Sequence, residues 1–93
     1  MKYKLIFSEG IKEEIASAYI WYEMQKPGLG DEFLGELERA LTLLKTKPKY
    51  FGFINQYQRR LILKKFPYKI IYEIFDNEIA IFTVRHSKQK DKS

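Results

Sequence analysis

The residues best suited to chemistry are the cations in the second half of the chain. Basic side chains occur on successive predicted strands, at Arg59-Arg60, Lys64-Lys65, Lys69 and Arg85-His86. Neighbouring strands lie about 4.8 Å apart, so these side chains would collect on one surface of a sheet. Such a surface would suit a phosphate backbone or an acidic protein segment, because both carry negative charge. A solubilising face remains the alternative, since basic residues also keep strand edges from aggregating.

His86 is the only histidine and the one candidate general base. Together with Arg85 and the lysines it could support metal-free RNA cleavage, in which cations stabilise the charge that develops on phosphorus. An ordinary histidine at the end of a strand is the competing interpretation. The tyrosines between the cations could stack bases, whereas the alternation of Tyr72 with Ile70 and Ile74 predicts a core position for it.

Composition excludes several classes of protein. The chain has 93 residues, 45% of them hydrophobic, with no cysteine and a net charge of +5. Thiol catalysis and multi-histidine zinc sites lack their ligands, and no glycine-rich phosphate loop is present. We therefore expect no cofactor, no metal and no small-molecule substrate. No run approaches the roughly 18 apolar residues of a membrane span, and the start lacks a signal sequence, so we expect a cytoplasmic protein.

The charge is divided unevenly along the chain. Up to Leu44 there are 5 basic and 8 acidic side chains, whereas from Lys45 onward there are 12 basic and 4 acidic ones. The glutamates of the first predicted helix have no accompanying ligand set and indicate a solvated face; they are Glu9, Glu13, Glu14 and Glu23. The second half is the electropositive one, and it contains the candidate site.

Two helices and four strands must position these residues. Tyr3 to Phe7 predicts a strand, and apolar spacing then predicts a helix from Ser8 as N-cap to Gln25, where Pro27 follows. A second periodic segment, with Asp31 as its candidate cap, extends to Lys47-Pro48. Two such helices joined by a short loop form an antiparallel hairpin.

The remainder of the chain has the two-residue period of strands. The predicted strands run from Tyr57 to Lys65, from Tyr68 to Phe75 and from Ile79 to Arg85, with a possible short edge strand at Tyr50 to Ile54. Asp76-Asn77 is a two-residue hairpin signal. The predicted fold is α+β, a two-layer sandwich of order β-α-α-β-β-β(-β) with the helical hairpin on one face of an antiparallel sheet. Residues 1–93 form a single predicted domain, with 88–93 as a flexible tail.

These elements carry an ordered set of motifs that resembles the RelE/ParE superfamily of bacterial toxins. The resemblance spans Tyr3 to Ser87 and rests on Ile20-Trp21-Tyr22-Glu23, Pro27-Gly28-Leu29-Gly30 before Phe33-Leu34, Pro48, Arg59-Arg60, Phe66 to Tyr72 and the strand ending at His86. It implies the toxin of a type II toxin–antitoxin module, of a kind that stabilises plasmids and arrests growth until a cognate antitoxin neutralises it.

Two mechanisms follow from the resemblance. RelE-like members cleave mRNA in the ribosome, and for that activity the implied catalytic candidates are Arg60, Lys64, Lys69, Arg85 and His86. Where many of that branch carry an arginine, this chain has Lys69, which lacks the planar fork of a guanidinium. ParE-like members poison DNA gyrase by binding, and the loop Lys26 to Gly30 with Trp21-Tyr22 is closer to that branch.

The resemblance also implies a surface for protein partners. The candidate partner-binding residues are Trp21, Tyr22, Gly28, Leu29 and Arg59. Whether the protein is an enzyme stays open at this stage. A non-enzymatic interaction module, which includes an inactive toxin that only binds its antitoxin, and a basic RNA-binding domain are the alternatives.

Overall fold

A computed structural model describes residues 3–87 as two helices packed on a four-stranded sheet. The elements are β1 (Lys4–Phe7), α1 (Ile11–Gln25), α2 (Leu29–Thr46), a 3₁₀ turn (Pro48–Tyr50), β2 (Gln58–Ile62), β3 (Tyr68–Phe75) and β4 (Glu78–His86). The predicted order of elements and the helical hairpin are confirmed. The predicted tail, residues 88–93, lies outside the described residues.

The sheet has the strand order β1-β4-β3-β2. The pairs β2–β3 and β3–β4 are antiparallel, but β1 lies parallel to β4. The sheet is therefore mixed, whereas an antiparallel sheet was predicted. The parallel pair arises because the helical hairpin and the two later strands intervene between β1 and β4. Asp76 adopts a left-handed φ of 51° in the two-residue turn between β3 and β4, as its side chain type predicts.

The core fills the space between the hairpin and one face of the sheet, which we call the inner face. The helices contribute Ile11, Ala18, Tyr22, Phe33, Leu37, Ala40 and Leu44, and the sheet contributes Leu61, Ile70, Tyr72, Ile79, Ile81 and Val84. Side chains alternate along each strand, so the intervening residues point to the opposite or outer face. Tyr72 is fully buried, as predicted.

A β-bulge in β4 resets this alternation. Ile71 pairs with Thr83, whereas the next residue, Tyr72, pairs with Ile81, so Phe82 has no partner in the register. Residues after the bulge therefore change face relative to an uninterrupted strand. Val84 joins the core, and Arg85 points to the outer face.

Two predicted strand segments differ from the structure. β2 ends at Ile62 and not at Lys65, because the chain turns there and the N–H of Leu63 donates to the carbonyl of Tyr68 across the turn at 2.9 Å. The predicted edge strand from Tyr50 to Ile54 is reduced to a single bridge between Phe53 and Arg59. The Arg59 guanidinium donates hydrogen bonds to the carbonyl oxygens of Lys49 and Phe51, at 3.2 and 2.6 Å. In a regular strand such carbonyls would accept N–H groups of a neighbouring strand.

The helix caps also differ from the prediction. α1 and α2 follow Gly10 and Gly28, whose φ values of 92° and 90° suit glycine, and neither Ser8 nor Asp31 caps a helix. Ser8 instead donates its hydroxyl to the carbonyl of Phe82 at 2.9 Å. At α2 the cap comes from the other helix, where the Glu23 carboxylate accepts the N–H groups of Gly28 and Gly30 at 2.9 to 3.1 Å.

The Tyr72 hydroxyl makes the stability of the folded state depend on pH in the alkaline range. It donates to the carbonyl of Pro48 at 2.6 Å, and burial raises the pKa of Tyr72 to about 12 from 10.0. The folded state thus keeps a proton that the unfolded state loses near pH 10. The resulting stability is fully present below pH 10 and is lost as the pH rises towards 12.

We expect Tyr72→Phe to lower the free energy of unfolding by roughly 1 to 2 kcal/mol at pH 7, because the Pro48 carbonyl loses its donor. Between pH 10 and 12 the wild type should lose stability more steeply than the variant. Urea unfolding followed by circular dichroism across this range measures both effects. Tyr57→Phe, at a side chain 67% exposed, is the control. Parallel pH profiles for wild type and Tyr72→Phe would contradict the assignment.

Candidate functional site

Three of the predicted cations share the outer face of the sheet. Arg60 lies opposite Ile71, and Lys69 lies directly opposite Arg85 on the neighbouring strand. All three alternate with core residues, so strand geometry places them on the side away from the helices. The structure therefore brings Arg60, Lys69 and Arg85 together on one surface.

Lys69 differs from the open cation that the sequence predicted. Its exposure is only 3%, and it is a buried charged residue on the outer face. Like charges directly opposite each other on adjacent strands are destabilising, so Lys69 and Arg85 need an anion nearby. A carboxylate from α1 lies beside Arg85.

That carboxylate belongs to Glu14. It accepts the hydroxyl of Thr83 at 2.9 and 3.0 Å and the N–H of Val84 at 2.9 Å, and its Oε2 lies 3.6 Å from Nη2 of Arg85. Arg85 in turn donates its Nε–H to the Thr83 hydroxyl at 2.9 Å. One side chain thus fixes α1, the end of β4 and the Arg85 guanidinium relative to one another.

Glu14 occupies this place because β1 is short. The last pair between β1 and β4 joins Phe7 to Ile81, and the N–H of Ser8 donates to the Ile81 carbonyl at 3.0 Å. Beyond that point the edge of β4 has no strand beside it among residues 3–87, and the Val84 N–H would otherwise need a solvent partner. In the sequence Glu14 was assigned to a solvated helix face, because nothing local shows that it meets a strand edge.

The other two catalytic candidates lie away from this surface. His86 follows Arg85 and takes the inner side of the sheet, where its ring lies 5.5 Å from the ring of Tyr68. Lys64 is in the turn after β2, next to α2. There a hydrogen bond from Arg39 lowers the pKa of the Glu36 carboxyl, and the backbone N–H of Lys64 adds to the effect. The five candidates do not form one cluster.

An open groove of about 590 Å³ lies between α1 and the end of β4. Its lining includes Glu14, Trp21, Tyr68, Arg85 and His86. The Tyr68 hydroxyl is protonated at neutral pH, as in any tyrosine, and burial raises its pKa further, so it can donate a hydrogen bond there. The groove therefore joins a cation, a phenol and an exposed indole in one accessible place.

Among the predicted partner-binding residues, only Trp21 is a large apolar side chain on the surface, at 57% exposure. Tyr22 is buried against Phe33 and Phe66, Leu29 is half-buried against the core, and Arg59 holds loop carbonyls. Gly28 and Gly30 have structural roles in the helical hairpin, since Gly28 precedes α2 and Gly30 lies where the two helices approach each other. A Cβ at Gly30 would lie 2.7 Å from the Tyr19 ring and 2.8 Å from its carbonyl oxygen, so the close approach of the helices requires glycine.

The exposed apolar surface around Trp21 includes residues that were not among the predicted partner-binding residues. Ile20 and Met24 are 55% and 78% exposed, and with Trp21 they form what we call the α1 stripe, opposite Ile15 and Tyr22. Helical spacing of these three apolar residues is the signal that could have identified it.

Neither a membrane span nor a metal cluster is found within residues 3–87. No helix in that part of the chain is both long enough and apolar enough to cross a bilayer. Within the same residues, no group of three or more His, Cys, Asp or Glu side chains could hold a metal ion.

The Glu14 contacts predict a local change in hydrogen exchange. Glu14→Ala should expose the Val84 amide, at a cost of roughly 1 to 3 kcal/mol for an unpaired group, and speed its exchange roughly fivefold to a hundredfold. Two-dimensional NMR after transfer to D₂O measures this amide directly. Glu14→Gln, which keeps an acceptor, should recover part of the protection. Glu13→Ala, at the exposed neighbour, should change nothing. Equal exchange in all four proteins would show that Glu14 does not protect the edge of β4.

Comparison with known proteins gives one informative result. No family model matches the chain, and no curated protein matches it. Among solved structures, a chain described as "Chromosomal ParDE TA system from P. aeruginosa" superposes with a TM-score of 0.80 at 14% sequence identity. The match covers 94% of this chain and 98% of that one. The likeness agrees with the resemblance to the RelE/ParE superfamily seen in the sequence, and at this identity it shows that the two chains share a fold.

Proposed function

We propose that this protein is the toxin of a type II toxin–antitoxin module. The observation that carries the proposal is the match to a ParDE chain over 94% of this chain and 98% of that one. A fold alone does not fix a function, and the sequence adds separate support. The motifs around Trp21, Gly28 and Phe66 to Tyr72 point to the same superfamily and occur in the same order.

We place the antitoxin on the α1 stripe. Ile20, Trp21 and Met24 expose more than half of their surface each, on the helix that also forms one wall of the groove beside β4. Exposed apolar surface of this kind is typical of a protein interface, with tryptophan among the residues that most often dominate its energy. Of the other candidates named from the sequence, Tyr22 supports this surface from within, because its ring meets that of Trp21 edge-on at 5.1 Å. Leu29 packs against the core, and Arg59 binds carbonyls of the loop between α2 and β2.

For the growth-arresting step we favour gyrase poisoning by binding. Arg60, Lys69 and Arg85 lie on one face, but His86 alternates to the other and packs against Tyr68. Arg85 lines the same groove as His86, but Arg60 and the buried Lys69 do not. The cations that a cleavage site would need around its general base are therefore not gathered there, which suits a binding surface better. Ribosome-dependent mRNA cleavage is the second candidate, because the exposed Arg60 and the partly exposed Arg85 would suit a phosphate backbone.

We expect growth arrest when the protein is induced in bacteria that lack an antitoxin. Pulse labelling with thymidine and methionine over the first minutes distinguishes the targets, since a gyrase poison lowers thymidine incorporation first and an mRNA nuclease lowers methionine incorporation first. Arg60→Gln should weaken the arrest, and Lys64→Gln, which removes the same charge outside the outer face, should not. Normal growth with folded protein present would contradict toxicity and favour a module that only binds its antitoxin.

A second prediction concerns neutralisation. Co-expression of the antitoxin encoded beside this protein should restore growth for the wild type. Trp21→Ala should remain toxic and lose much of the rescue, because an exposed indole is removed without disturbing the core. Phe75→Ala, at a side chain 50% exposed on the sheet, is the matched control and should be rescued fully. Colony counts with and without antitoxin provide the measurement, and full rescue of Trp21→Ala would move the antitoxin to another surface.

A further inference from the structure

The segment between α2 and β2 has a feature that neither the antitoxin nor the outer face accounts for. Tyr50, Phe53 and Tyr57 are 78%, 59% and 67% exposed, within eight residues of one another. Large aromatic side chains in a small domain are normally used in the core, where each buries a large area. Their concentration on one loop is therefore a surface that needs an explanation.

The loop is built and held in place. The Arg59 guanidinium binds the carbonyls of Lys49 and Phe51 and lies 3.9 Å from the centre of the Phe53 ring. Two backbone hydrogen bonds join the loop to β2. The N–H of Ile54 donates to the carbonyl of Gln58 at 2.8 Å, and the N–H of Arg60 donates to the carbonyl of Gly52 at 3.2 Å.

The far end of the loop is fixed by Asn55. Its side-chain oxygen accepts the N–H groups of Tyr57 and Gln58, each at 2.8 Å, and its amide donates to the Gln58 side chain at 2.9 Å. These bonds hold the backbone, while most of the surface of Tyr50 and Tyr57 stays exposed to solvent. A surface ordered in this way gives up little conformational freedom when a ligand binds.

The charged residues in this part of the sequence have a single sign. Between Glu38 and Glu73 the sequence has nine lysines and arginines and no aspartate or glutamate. Lys47 and Lys49 are exposed beside Tyr50, and Arg60 is exposed at the strand that follows Tyr57. The nearest acid along the sheet is Glu73, which pairs with Gln58 in the register.

We propose that this loop, residues 47–57, binds single-stranded nucleic acid. Aromatic rings stack on bases of any sequence, and neighbouring cations attract the phosphates between them. Beside Tyr57 a hollow lined by Asn55, Gln56, Gln58 and Glu73 offers amide and carboxylate groups for base edges. An acidic peptide is the less suitable ligand, because its carboxylate side chains gain little from flat, open rings on which bases can stack.

The inference goes beyond the proposed toxin function, since neither growth arrest nor antitoxin binding requires this loop. The test uses the purified full chain and fluorescently labelled oligo(dT) and oligo(U) of about 15 nucleotides. Fluorescence anisotropy at increasing salt measures both affinity and its salt dependence. A steep fall in affinity with salt is expected, because phosphate contacts release counterions.

Ring removal separates stacking from charge. The double variant Tyr50→Leu with Tyr57→Leu should weaken binding about tenfold or more. Phe7→Leu is the matched control, because Phe7 is 47% exposed and lies on β1, at the opposite edge of the sheet from β2. Lys47→Gln with Lys49→Gln should lower the slope of log affinity against log salt by about two. Circular dichroism verifies that each variant is folded.

Three results would overturn the proposal. Absence of oligonucleotide binding by folded wild type would remove it outright. Unchanged affinity in the Tyr50→Leu, Tyr57→Leu double variant would show that binding depends on positive charge alone and not on stacking. Tighter binding of an acidic peptide than of either oligonucleotide, with the same dependence on Tyr50 and Tyr57, would assign the loop to a protein partner instead. Growth arrest in cells is measured separately, so failure of oligonucleotide binding leaves the toxin proposal intact.

Discussion

The extra residue in β4 at Phe82 determines which side chains the sheet presents on each face. In an uninterrupted strand Arg85 would share the inner face with Ile79 and Ile81, and Val84 would point outward. The bulge reverses this, because Tyr72 pairs with Ile81 while Ile71 pairs with Thr83. Val84 then completes the core, and Arg85 joins Lys69 on the outer face. The carbonyl of the bulged residue is bound by the Ser8 hydroxyl where β1 ends.

Glu14 makes this arrangement tolerable in electrostatic terms and also orients α1. Lys69 and Arg85 are opposed like charges, and the carboxylate 3.6 Å from Arg85 offsets part of their repulsion. Because the same carboxylate accepts the Val84 N–H, α1 cannot turn about its axis without leaving a strand edge unsatisfied. The side of α1 that faces away from Ile15 and Tyr22, where the α1 stripe lies, is thereby kept in solvent. The outer face and the proposed antitoxin surface thus share one constraint.

Local signals in the sequence predicted the elements well and the contacts between them poorly. β3 was predicted with both boundaries, Tyr68 and Phe75, and its turn at Asp76-Asn77 follows from residue type. The parallel pairing of β1 with β4, the bulge and the low exposure of Lys69 depend on segments far apart in the chain. Arg59 illustrates the limit: it was predicted to bind a partner, yet it organises the carbonyls of its own loop. The sequence records its charge but not the loop folded around it.

The same reasoning separates folding from function at the glycines and the aromatics. Gly28 was a candidate partner contact, but its left-handed φ and the capping of α2 by Glu23 account for it as part of the hairpin. Several aromatic residues of the helices and of the β2–β3 region are likewise explained by the core, with Tyr22, Phe33 and Phe66 in mutual contact. Tyr57 has no such explanation, since the loop is held by Arg59 and by Asn55 without using its ring. Tyr50 meets Phe51 edge-on at 5.2 Å, yet 78% of its surface stays exposed. A ligand is the best explanation for an exposed side chain that the fold itself does not use. The Tyr57 ring in the loop between α2 and β2 is such a side chain, whereas Gly28 is not.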